Sequence, residues 1–126
     1  MIVMRGFFCK VSAISLLLLS FAATSAAFAE QLRWHVTNST RYRAQIDFYS
    51  ENRAHEWPGG GEAWDLSDDE THTYTLNCRA EESICYGAWI PGHAQYFWGS
   101  GGDHNQHCKN CCADCGEGDV SINLVE

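Results

Sequence analysis

From Arg41 to Phe48 the side chains alternate without a break. Tyr42, Ala44, Ile46 and Phe48 fall on one side of an extended chain, and Arg41, Arg43, Gln45 and Asp47 on the other. A repeat of two is the signature of a strand with one face in a core, and it cannot serve a helix, whose faces recur every 3.6 residues. The same repeat returns in Leu32, Trp34 and Val36, in Tyr74, Leu76 and Cys78, and in Val120, Ile122 and Leu124. Residues 84–90 (ICYGAWI) are apolar on both faces, as expected of a central strand; 94–98 and the pair Trp64 and Leu66 add shorter candidates. Glycine and proline punctuate the intervals at 58–61, 91–92 and 99–102. The sequence therefore predicts an all-β fold: a small antiparallel β-sandwich of six or seven short strands, with a compact β-barrel as the alternative and a disulfide-knotted C-terminal loop. Within it, the strands around Trp34 and Ile46 are expected to pair as a hairpin across Asn38, Ser39 and Thr40.

The N-terminus limits where this domain works. Arg5 and Lys10 precede an apolar stretch over 11–27, and Ala27-Phe28-Ala29 is a small-x-small cleavage signal. Residues 1–29 read as a secretory signal peptide and 30–126 as a single β domain, secreted or periplasmic, with no membrane span after cleavage. Cys9 leaves with the peptide. So do the two basic residues, which makes the remaining chain two units more negative than the −8 of the whole. Such an acidic surface repels phosphate backbones and argues against nucleic acid as a partner.

Cleavage leaves six cysteines: Cys78, Cys85, Cys108, Cys111, Cys112 and Cys115. An even number in a short exported chain reads as a disulfide framework. Two pairings fit the strand pattern. One places Cys78 opposite Cys85 in a hairpin of 71–78 with 84–90, leaving the last four cysteines to bridge among themselves. The other sends Cys78 or Cys85 to the C-terminal run and pins the 99–118 loop onto a sheet. The hairpin bridge is slightly favoured, because its register sets Tyr74 beside Trp89. The alternative chemistry is metal: His104, His107 or His93 with thiolates of the His104–Cys115 segment would suit copper or zinc. Dithiol catalysis is disfavoured, because nothing predicts the helix N-terminus that lowers a thiol pKa.

No catalytic group assembles in the sequence. The serines are scattered outside any nucleophile motif, and Asp65, Asp68, Asp69 and Glu70 lack the spacing of a calcium loop, so they read as a solvated turn. The chain is expected not to be an enzyme and to need no cofactor. Trp57, against Pro58 and three glycines, and Trp98, before another glycine-rich stretch, are the candidate ligand-binding residues. The competing reading has both fold back to cap the sandwich. The function expected is a non-catalytic binding or structural module of the cell envelope or extracellular space, its partner a glycan or an envelope protein.

Overall fold

The computed structural model describes residues 30–101, 108 and 110–126. The signal-peptide reading, His104 and His107 lie outside the described residues. Among the described residues, nine strands run in chain order: β1 (Glu30–Asn38), β2 (Ala44–Ser50), β3 (Glu56–Trp57), β4 (Trp64–Leu66), β5 (Thr71–Cys78), β6 (Ser83–Ile90), β7 (His93–Gly99), β8 (Cys112–Asp114) and β9 (Asp119–Leu124). They form two open sheets, a three-stranded one ordered β5-β1-β9 and a six-stranded one built on β3-β2-β6-β7, with β4 beside β2 and β8 beside β6. The fold is thus the sandwich and not the barrel. The strands beyond the expected seven are β3 and β8, two and three residues long, inside segments too short and too polar to show a period. Among the described residues all pairings are antiparallel except one: β9 runs parallel to β1, from Arg33 opposite Asp119 to Asn38 opposite Leu124.

The faces follow the alternation. Leu32, Trp34, Val36, Ala44, Ile46, Phe48, Leu66, Leu76, Ile84, Ala88 and Leu124 are buried between the sheets. Aromatic rings fill the middle, with Trp34 5.3 Å from Phe48 and 5.7 Å from Tyr86, and Tyr74 4.8 Å from Trp64. Such large side chains compensate for the small core of a short chain.

Two expected hairpins are not formed. β1 pairs with β5 and β9, whereas β2 pairs with β3, β4 and β6 in the opposite sheet. The turn after β1 is an arch between sheets, so the apolar faces of β1 and β2 meet each other rather than lying side by side. Asn38, 2% exposed, holds the arch: its Nδ2 donates to the carbonyls of Tyr42 (2.8 Å) and Leu66 (3.0 Å), and its Oδ1 accepts from Thr40. β5 and β6 likewise lie in different sheets, so Cys78 does not face Cys85, and Tyr74 does not face Trp89. Alternation sets which side of a strand is buried; it is the same for a hairpin and for an arch.

The outer face of the larger sheet is partly covered too. After β7 the chain turns at Gly99 (φ +82°) and Ser100 lies on β6, its N–H bonded to the Tyr86 carbonyl at 2.9 Å and its carbonyl accepting from the Tyr49 hydroxyl. Gly87 leaves the room, since a Cβ there would sit 2.9 Å from the Ser100 carbonyl oxygen. This cover helps to bury Tyr49, which points away from the core, whereas Cys85 on the same face is covered by β8.

Candidate functional site: a disulfide cluster and a tryptophan groove

The six cysteines form three bridges: Cys78–Cys115, Cys85–Cys112 and Cys108–Cys111. The favoured Cys78–Cys85 link is therefore corrected, and the pinned-loop alternative is the one adopted, for both cysteines at once. Strand parity explains the pairing. Cys78 follows Leu76 on the core face of β5, and Cys115 is buried on that side (5% exposed). Cys85 points to the outer face of β6, directly opposite Cys112 of β8 with Cα atoms 4.0 Å apart. Cys112 and Cys115 are three residues apart, so an extended chain aims them in opposite directions, one at each sheet. Cys108–Cys111 precedes a strand and not a helix, and so lacks the setting that activates a dithiol.

One further group touches the cluster. A Glu51 carboxylate oxygen lies 2.9 Å from Cys85 Sγ and 3.9 Å from Cys112 Sγ. Among the described residues this is the one gathering of three metal-ligating side chains. While the bridge is closed its sulfurs are bonded to each other and offer no thiolate. His93 stands apart from the cysteines, 4.7 Å from the Tyr42 ring.

The two candidate tryptophans separate. Trp98, on β7 opposite Ala88, packs against the core, stacks on Tyr96 at 6.2 Å and donates its indole N–H to the Val125 carbonyl at 3.0 Å. It closes the edge of the sandwich, as the capping reading expects. Trp57, on β3 opposite Phe48, is half-buried and also packs against the core, while it lines a groove of about 630 Å³ with Tyr49, Arg53, His55, Glu56 and the Pro58–Gly60 turn. The strand order puts the two residues at opposite edges of one sheet, so they cannot belong to one site. Rings and charge meet at Trp57: His55 stands edge-on at 4.5 Å, and the Arg53 guanidinium lies 5.8 Å from the ring centre.

The groove is braced from behind by a residue with no signal in the sequence. Glu82, 3% exposed, accepts from the Arg53 guanidinium, from the Ser50 hydroxyl (2.7 Å) and from the Arg79 N–H (3.1 Å). Those donors, Arg53 foremost, hold its carboxyl down at a pKa of about 2. In the sequence it is one acid of an ordinary turn. Asp47 is the opposite case: half-buried on the outer face of β2, it is pushed up to about 6 by burial and by the charge of Glu56. Ser50 is engaged with Glu82 and not with a histidine. In the acidic group, Asp65 pairs with Arg43 (2.5 Å) and Asp68 with His72 (2.6 Å), which fits a solvated turn. Comparison of the chain with protein-family models, with curated proteins and with solved structures finds no match.

Proposed function

We propose that this protein is a non-catalytic binding module of the cell envelope or extracellular space, seating its ligand against Trp57. The groove carries the reading. It joins an aromatic face to hydrogen-bonding groups at a strand end, on a support held by Glu82 and, through Cys85 opposite Tyr49, by the Cys85–Cys112 bridge. A pocket with an apolar wall and a few fixed polar groups is the usual form of a small-ligand site. Three disulfides suit an oxidising compartment. The ligand class favoured is a glycan, whose sugar rings stack on tryptophan.

The test pairs Trp57→Ala with Trp98→Ala on a printed glycan array, read beside thermal unfolding. Trp57→Ala is expected to abolish glycan signal while the protein stays folded at assay temperature, and Trp98→Ala to lower melting temperature with binding retained below it. A Trp57→Ala protein that unfolds early, or wild type that binds no glycan, sinks the proposal. One observation favours a second reading: on reduction, Glu51, Cys85 and Cys112 would offer a carboxylate and two thiolates within 4.8 Å, a set suited to zinc or copper. Metal uptake by the reduced but not the oxidised protein would support that reading, as part of the copper- or zinc-binding role considered for the His104–Cys115 segment.

A further inference from the structure

We propose that the protein self-associates through the free edge of β5, joining two copies of its smaller sheet across a two-fold axis into one six-stranded sheet. β5 pairs with β1 along its whole length, from Thr71 opposite Thr37 to Cys78 opposite Glu30, without a bulge. Its other edge meets no strand, and among the described residues no backbone hydrogen bond beyond the β1 ladder reaches it. Natural sheets protect such edges with shortness, bulges, proline or inward charge. The other edges of this molecule show those devices. β3 and β4 are two and three residues long, the β6–β7 pairing is broken by a shift at Trp89 and Ile90, and β9 opens with Asp119. β5 shows none: its eight residues, THTYTLNC, hold no Asp, Glu, Lys, Arg or Pro.

The sequence around β5 selects a second copy as the occupant. Directly opposed residues of antiparallel strands share a face. To keep core face beside core face, a two-fold between two β5 strands must therefore pass through a residue. An axis at Tyr74 sets Tyr74 against its own copy and Thr73 against Thr75 of the other chain. The same count carries Arg79, one residue past the strand, to Asp69 of the other chain, inside the acidic run 68–70 that precedes β5. Arg79 and Asp69 are both exposed, and neither forms an ion pair among the described residues. The contact is isologous, so each complementary pair occurs twice. On an acidic molecule whose copies otherwise repel, β5 is an uncharged strip closed at each end by opposite charges.

The interface is small, and interfaces of this class are weak and transient, with dissociation constants in roughly the micromolar range. Light scattering behind size exclusion, on disulfide-intact protein over a concentration series, should show monomer passing to dimer. Two double variants at the same exposed positions then test the register. Thr73→Glu with Thr75→Glu opposes like charges twice and should weaken the dimer roughly tenfold or more. Thr73→Glu with Thr75→Lys opposes unlike charges twice and should keep or tighten it. Near-UV circular dichroism of both confirms an intact fold. A wild type that stays monomeric at every concentration overturns the proposal, and would leave the edge to a strand of some other polypeptide. A dimer equally tolerant of both variants overturns it as well, because association then runs through another surface.

Discussion

Replacing Glu82 by Gln keeps the shape of a buried side chain and removes its charge, which makes it the sharpest test of how the groove is held. The carboxylate is 3% exposed and accepts from Arg53, Ser50 and the Arg79 N–H. Its carboxyl falls from an ordinary 4.5 to about 2. That difference corresponds to an upper bound of about 3 kcal/mol favouring the folded state. Arg53 keeps 26% of its side chain in water, which screens the pair and lowers the expectation to about 2 kcal/mol. A lowered acid stabilises fully above its unfolded pKa and loses that contribution as pH falls through its folded value. The gap between wild type and Glu82→Gln should therefore be flat from pH 7 to 5 and narrow as pH drops from 4.5 towards 2. Urea unfolding followed by circular dichroism at each pH, with the bridges intact, measures it. At neutral pH, about 2 kcal/mol corresponds to a melting temperature lower by roughly 8–16 °C for a domain of this size. A difference below about 0.5 kcal/mol at pH 7, within the range of neutral surface changes, would refute the buried-pair account. So would a gap that stays constant down to pH 2.

Asp47→Asn should act in the opposite sense. Its folded pKa of about 6 is raised, so it stabilises the fold at low pH and loses that contribution as pH rises through 6. Being only half-buried, it should gain no more than about 1 kcal/mol on neutralisation at pH 7.5, and nothing at pH 4; a variant less stable at both would contradict this. Thiol titration in denaturant should find none of the six cysteines free, and non-reducing peptide mapping should recover the Cys78–Cys115 and Cys85–Cys112 links. A Cys78–Cys85 peptide would contradict the arch between β5 and β6. Closing loops with separations of 37 and 27 residues is worth about 3–4 kcal/mol each on the chain-entropy scale. Excess reductant should therefore unfold the protein at ambient temperature, and retention of near-UV signal under reduction would refute that estimate.

What could be read in advance divides along a physical line. Burial on one side of a strand is written locally, so Tyr42 through Phe48 and Leu32 through Val36 announced their core faces, and the apolar run 84–90 announced a centre. Connection is not local. Asn38 looks like any turn residue until its amide is seen reaching Leu66, 28 positions away, and hairpin and arch share one alternation. The bridges lie between these cases. The face of Cys78 was legible from Tyr74 and Leu76, and the spacing of Cys112 and Cys115 already implies opposite directions. The face of Cys85 was hidden, because its strand is apolar on both sides. For the groove, Trp57 stood out through the proline and glycines beside it, while Glu82 and Arg53 carried no mark, since their partnership joins two turns that only the folded chain brings together.

The bridges are nested: 108–111 lies inside 85–112, which lies inside 78–115. A protease meets this as covalent connectivity. One cut anywhere between residues 86 and 107 leaves the two pieces joined by two bonds. A cut between 79 and 84 leaves one bond. Upstream of Cys78, and again downstream of Cys115 in the segment that carries β9, a single cut leaves no covalent link between the two pieces.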